Sequence, residues 1–453
     1  MIIAYKQHFQ FIMILAIMYV SGVWGGPIIY AMFPIVLLLF GLKKRYFELF
    51  ITTLWLLILA DYVPVKDATY DDLQFAKDLK AMLPIFLFLF YLRDRKEFTP
   101  IPKLFFYFFP FFLIMLFCLQ FSVNFNIGVQ KSISYILMYF CIPVYVLKLQ
   151  RDEGQYFWTA LLTFIIGMLT IGVVLGFLIP QIGQMSDGRF KGILGNPNGL
   201  GVFLNLTFIL WVVIEEFNLA SFTKKERFYI IFIILFSLFW CGSRNGMMSI
   251  FLFYLVYRFV KINWFLGVVL IVSFISFEAI IFDFFLGVID FFNLQEYFRV
   301  DSIEEGSGRK VAWVFAWGEI EKYNFFIGGG FGHDENIMRP NYYWLEQLGH
   351  NGGVHNSYLS MWFDGGIIGL IAYFVSFIGL AIARMKFSYV VIAFLTSILF
   401  NISYESWLVA SLNPFTLLFL TILTIFESKL KDNVILHEES TEQATHDLTL
   451  KAL

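Results

Sequence analysis

Residues 156–179 read YFWTALLTFIIGMLTIGVVLGFLI, 24 residues without a single charge. At 1.5 Å per residue a helix of that length covers about 36 Å, more than the ~30 Å of hydrocarbon in a bilayer. Runs of the same kind recur through the chain, among them 8–24, 27–42, 131–149, 198–214, 263–285, 356–382 and 406–426. They predict an all-α polytopic membrane protein with about fourteen transmembrane helices, or about twelve if short runs such as 80–92 and 246–260 re-enter in pairs. The first run passes directly into a second and lacks a small-residue cleavage site, so it reads as a span rather than a signal peptide.

Composition agrees. Soluble domains carry about 25% charged residues, whereas these 453 residues are 15% charged, 59% hydrophobic and 20% aromatic. A soluble enzyme, a disordered chain and a coiled coil are excluded. A formal net charge of −2 argues against a nucleic-acid partner. Cys118, Cys141 and Cys241 suggest neither a disulfide framework nor a thiolate metal site, and they read as small buried hydrophobes.

An even span count puts both termini on one side. Basic residues concentrate there: 20 of the 32 Lys and Arg fall on that side, which the positive-inside rule makes cytoplasmic. The expected organisation is N-terminal membrane helices over 1–179, central helices with arginine-bearing outer turns over 180–285, and an outer loop over 286–355 with short amphipathic helices. C-terminal helices over 356–426 and a disordered cytoplasmic tail over 427–453 complete it.

The outer face holds few basic residues, so those present are informative. Arg189 and Lys191 stand in GRFKGILGNPNGLG (188–201), where Asn196-Pro197-Asn198-Gly199 is a turn feeding a helix N-terminus. A helix start beside an arginine can cradle an anion; the alternative is an arginine snorkelling to lipid headgroups. Arg244 lies in CGSRNG (241–246), a turn between two spans, with the same two readings. Arg309 opens GSGRKVAWVFAWGEIEKY (306–323); Ser307 can cap a helix there, and Trp313 and Trp317 suit one resting at the membrane interface. The GGGFG run (328–332) resembles a phosphate loop loosely and reads better as a flexible turn. His355 begins HNSYLSMWFDGGIIGL (355–370), where the loop re-enters the membrane. It is either a general base or a solvated interfacial histidine. Glu405 in NISYESW (401–407) can orient an arginine or that histidine. The outer histidines match no zinc spacing.

In order, R-x-x-G-x-x-x-NPN, SRNG, SGR-x-x-x-W, GGGFG and HNSYL-x-x-x-x-x-GGIIG resemble the O-antigen ligase and polymerase superfamily, bacterial glycosyltransferases that act on polyprenyl-diphosphate-linked glycans. The resemblance covers 180–420; the earlier spans match only in hydropathy. It implies an inner-membrane enzyme with an extracytoplasmic active site that uses no cofactor, nucleotide sugar or metal. It carries Arg189, Arg244, Arg309 and His355 over as active-site positions. Lys191 would join the diphosphate site, with Asn196, Asn198, Asn356 and Glu405 in support.

The physical chemistry runs in parallel. Guanidinium groups can hold a diphosphate and stabilise the charge that grows as it leaves. His355 would take the acceptor hydroxyl's proton, and Tyr342, Tyr343 and Trp344 would stack on sugar. The expected partners are the lipid-linked oligosaccharide, a glycan acceptor and membrane lipid, with a chain-length regulator and a flippase as further candidates. The preferred activity is that of a polysaccharide polymerase; the alternatives are a ligase acting on lipid A core and a solute transporter.

Overall fold

The computed structural model describes residues 27–61, 80–98, 102–276, 308–350, 352–385 and 388–428, together with Gly287, Phe291 and Gln295. In chain order the main helices are α1 (Pro27–Leu42), α2 (Tyr46–Asp61), α3 (Leu83–Arg93), α4 (Phe109–Cys118), α5 (Phe125–Glu153), α6 (Gln155–Leu178) and α7 (Pro197–Glu216). They continue as α8 (Lys224–Cys241), α9 (Arg244–Ile262), α10 (Trp264–Ser276), α11 (Arg309–Glu319), α12 (Ser357–Met385), α13 (Tyr389–Tyr404) and α14 (Pro414–Ser428). Among the described residues the only β-type pairing is a bridge between Gln184 and Phe190.

The molecule is a helical membrane protein. Among the described residues α5, α6, α7 and α12 are long and apolar enough to cross a bilayer, while α3, α4, α10, α13 and α14 are shorter apolar helices. Among the described residues four helices reach spanning length, so the expected count of about fourteen is not confirmed. The first expected run, Ser307 and nearly all of the tail lie outside the described residues.

Local signals account for several helix boundaries. Asn124, Asn196, Ser243 and Ser388 each accept a backbone N–H as N-caps of α5, α7, α9 and α13, and Thr223 forms a capping box with Glu226 at the start of α8, which satisfies donors that the helix itself leaves open. Gly242 ends α8 with φ 59°, in the left-handed region that suits a helix C-terminus.

Two expected spans are corrected. The run at 406–426 becomes helical only at Pro414. Before it, Asn413 donates to the Ala410 carbonyl at 2.8 Å and accepts the Thr416 N–H at 2.6 Å, an Asn-Pro start hidden by its apolar neighbours. The run at 356–382 is one element with a break at Gly366, where φ is 65° and ψ is −177°.

Residues 325–332 fill that break. Gly329 N–H donates to the Phe363 carbonyl at 3.1 Å, Gly330 N–H to the Asp364 carbonyl at 2.8 Å, and Ile367 N–H to the Phe325 carbonyl at 2.9 Å. The Asp364 carboxylate accepts the Gly332 and Asp334 N–H groups at 3.0 and 3.1 Å. Backbone groups freed at membrane depth are thus satisfied by protein, as a low-dielectric surrounding demands. GGGFG is a docked segment, neither a phosphate loop nor a flexible turn.

The main core is rich in aromatics, with Trp55, Trp158, Tyr135, Tyr139, Tyr145 and Tyr373 fully buried. The Tyr139 and Tyr373 hydroxyls meet at 2.9 Å, and Tyr135 donates to the Leu408 carbonyl at 3.0 Å. These bonds tie α5 to α12 and to the turn after α13. A second, small core lies in the loop, where Ala312, Ala316 and Ile320 pack with Met338, Leu345, Val354 and Phe363.

Candidate active site

Four helix ends meet at the face that carries the 308–350 segment. Ser357, at the start of α12, donates its hydroxyl to the Glu405 carbonyl at 2.6 Å, so the N-terminus of α12 sits at the C-terminus of α13. Asn245, at the start of α9, donates to the Asn401 carbonyl at 3.0 Å, one turn earlier on α13. At the start of α7, Gly201 packs directly on Gly246 of α9; a Cβ on Gly246 would come within 2.8 Å of the Gly201 Cα. The NPN, SRNG and HNSYL motifs thus open helices around a single point, the end of α13.

Glu405 occupies that point in extended conformation, just past α13. Arg309 Nη2 donates to its Oε1 at 2.8 Å, and His355 Nδ1 lies 3.6 Å from its Oε2. The three side chains are mostly shielded, with 18%, 30% and 12% exposure for Arg309, His355 and Glu405. The Arg309–Glu405 bond is charge-assisted and at its ordinary length. The His355 contact is at ion-pair rather than hydrogen-bond distance.

Among the described residues His355 is one of three non-glycine residues with positive φ, at 49°, a conformation costing about 1–2 kcal/mol. Its neighbours hold it there. His350 Nε2 donates to the Gly353 carbonyl at 2.9 Å, Trp313 Nε1 donates to the Val354 carbonyl at 3.0 Å, and the Asn356 carboxamide oxygen accepts the Tyr358 and Leu359 N–H groups at 2.9 and 3.1 Å. The imidazole Nε2 lies over Gly352, where a Cβ would come within 3.0 Å. Gly352 itself has φ 108°. Glycine there leaves Nε2 uncovered while Nδ1 faces the carboxylate.

Arg189 belongs to a neighbouring turn. Phe190 stacks on Trp240 with ring centroids 4.3 Å apart, which lays the Arg189 side chain against Gly242, its Cδ 3.8 Å from where a Cβ would sit. Its Nε pairs with Asp187 at 2.9 Å, and its Nη1 is buried without a hydrogen-bond partner. Arg244, the first residue of α9, is half-buried beside the same turn. Lys191 is buried, and desolvation lowers its ammonium pKa from the usual 10.5. Asn196 caps α7 by accepting the Gly199 N–H at 2.7 Å, and Asn198 stands half-buried in its first turn.

The structure therefore joins Arg309, His355 and Glu405 directly, and brings the Arg189–Arg244 turn to the same end of the bundle. Asn196 and Asn356 act as helix caps. Trp313 is half-buried and hydrogen-bonds inside the loop. Tyr342 packs on the small core, Trp344 lies against Phe315 at 5.7 Å, and Tyr343 is exposed.

Asn401 was not singled out from the sequence. Its carbonyl accepts from Asn245, its amide donates to Ser249 Oγ at 3.0 Å, and its Oδ1 accepts the Trp407 N–H at 2.8 Å. It links the SRNG turn to the segment holding Glu405. The available signal was polar spacing on an apolar helix, since Ser397, Asn401 and Glu405 recur every four residues on one face.

Residues 229–374 match a family model described as O-antigen ligase. Over that segment the chain is similar to the O-antigen ligase family, which supports the O-antigen ligase/polymerase superfamily. The matched segment, about a third of the sequence, contains Arg244, Arg309 and His355 but neither Arg189 nor Glu405. No curated protein matches the chain. That likeness supports a membrane glycosyltransferase-like enzyme in general. The groups at the end of α13 suit that chemistry, with cationic side chains for an anionic leaving group beside an imidazole oriented by a carboxylate.

Proposed function

We propose that the protein is a surface-polysaccharide polymerase. It transfers a polyprenyl-diphosphate-linked glycan to a sugar hydroxyl of another lipid-linked repeat unit, at the outer face of the bacterial inner membrane. One observation carries the reading: a single carboxylate, Glu405, holds both Arg309 and His355.

His355 receives the acceptor hydroxyl's proton at Nε2 while Glu405 fixes the ring through Nδ1 and stabilises the imidazolium that forms. The acceptor oxygen bonds to the anomeric carbon as the bond from that carbon to the diphosphate breaks. Arg309, with Arg189 and Arg244 from the adjoining turn, offsets the charge that accumulates on the departing diphosphate. The donor is already activated by its diphosphate, so no nucleotide is needed. Guanidinium groups serve in place of a metal, and turnover is expected to persist in EDTA.

The description of the matched family favours a second reading, a ligase that caps lipid A core. Gene deletion separates the two. Loss of a polymerase leaves single repeat units on the core; loss of a ligase leaves the core bare and polymer accumulating on its lipid carrier. A transporter reading draws on the broken α12, yet that break is filled by residues 325–332 rather than by a solute path. Purified protein supplied with a defined lipid-linked repeat unit, with EDTA present, tests the main reading. Longer lipid-linked glycan is the expected product, and no product under any donor–acceptor pairing would sink it.

A further inference from the structure

Trp313 touches the chain beside each member of the Arg309–Glu405–His355 group. It lies one helical turn after Arg309 on α11, so the two residues share a face. Its indole N–H donates to the Val354 carbonyl at 3.0 Å, directly before His355. Its ring lies against Tyr404, directly before Glu405, with centroids 6.0 Å apart. Two segments more than forty residues further along the chain thus meet on one indole.

We infer that Trp313 is a positioning residue that sets the spacing of Arg309, Glu405 and His355 without touching substrate. The reasoning is mechanical. Arg309 is anchored to Glu405 by its own ion pair, but His355 approaches Glu405 only to 3.6 Å. Beside the packing of Val354 on Ala312 and Ala316, the hydrogen bond holding the histidine's backbone toward α11 is that from Trp313 to Val354, the residue just before the strained φ of His355. Losing it frees the 350–355 turn to relax, and His355 moves while Arg309 stays. A shift of about 1 Å at a reacting group can cost on the order of 10²-fold in rate. The Tyr404 contact adds a second constraint, because it keeps the indole from following the turn.

The inference rests on the glycosyl-transfer reading, and its test has an arm independent of it. Trp313→Phe keeps a ring against Tyr404 and removes the N–H; replacement by 3-benzothienylalanine keeps the full bicyclic shape and removes only the N–H. With purified full-length protein and a defined polyprenyl-diphosphate-linked oligosaccharide, either change is expected to lower kcat about 10-fold or more while KM for the donor stays within about 2-fold. Added to His355→Ala, Trp313→Phe is expected to change the residual rate less than about 2-fold, because the group it positions is gone.

In the same samples without substrate, acylation of His355 by diethyl pyrocarbonate, mapped by mass spectrometry, should quicken about 3-fold or more as the turn loosens. Unchanged kcat, a raised KM with kcat retained, an equal fall in the His355→Ala background, or unchanged His355 acylation would each overturn the inference. Wild-type protein that transfers no glycan would overturn the functional reading alone, and His355 acylation then decides the role of Trp313.

Discussion

Arg309 and Glu405 stand 96 residues apart in the chain and 2.8 Å apart in the fold. One comes from the loop and the other from the end of a membrane helix, so the ion pair fastens the loop to the bundle. With little solvent around either group, removing one charge leaves the other without its partner in a poor dielectric.

Glu405→Gln keeps the shape of the side chain and removes its charge. Glycan transfer is expected to fall about 10- to 100-fold, since His355 loses its orienting anion and Arg309 is free to turn away. Arg309→Ala should abolish transfer and Arg309→Lys should be nearly as poor, because an ammonium does not reproduce the planar fork. Rates measured at equal protein level and equal membrane insertion check both; full activity in Arg309→Ala removes that residue from the mechanism.

His355→Ala loses the imidazole and also changes a position with φ 49°. Asparagine tolerates that backbone better than most residues. His355→Asn should therefore match the wild type in thermal stability yet lose about 10²- to 10⁴-fold in rate. Comparable losses in the two variants would isolate the ring as the cause, whereas an active His355→Asn protein would exclude it as the base.

Burial lowers the imidazole pKa of both His350 and His333 below the usual 6.5. As pH falls past about 6.5 the unfolded chain binds these protons and the folded chain does not, so stability declines below that point and levels off once the folded groups protonate as well. His350→Gln retains a donor for the Gly353 carbonyl and should flatten the decline. Melting temperatures at about pH 7.5 and about pH 5.5 test this: the drop on acidification should be smaller in the variant than in the wild type.

Gly366→Ala places a Cβ onto the Phe326 carbonyl oxygen at a residue whose φ is 65°. The cost should be about 2 kcal/mol or more. Gly379→Ala in the same helix is the control, because nothing lies within 4 Å of the added carbon. Thermal unfolding in detergent should fall for the first variant and hold or rise for the second.

The sequence displayed some of these relationships and concealed others. The helix start after the Asn196–Gly199 turn, the turn at Gly242, and the candidacy of Arg309, His355 and Glu405 all rest on short-range patterns, which one sequence shows. Apart from Glu405, read as able to orient an arginine or His355, what joins distant segments was not visible. Asp364 lies within the apolar run 356–382 and accepts N–H groups from Gly332 and Asp334. Trp313 carried the apolar signal of an interfacial residue, and only its neighbours reveal a hydrogen-bond donor at work inside the loop. The run at 406–426 concealed its turn because Trp407, Leu408 and Val409 are as apolar in the turn as they would be in a helix.

The break in α12 sets a rule for exchanging parts between relatives. A graft cut at residue 308 and again at 355 would carry residues 325–332 but leave behind Phe363, Asp364 and Ile367, the groups that receive them. The transplanted loop would meet a host helix whose opening was shaped for another backbone. A working chimera must therefore include the first three turns of α12, and natural recombination between similar chains would be constrained to the same joints.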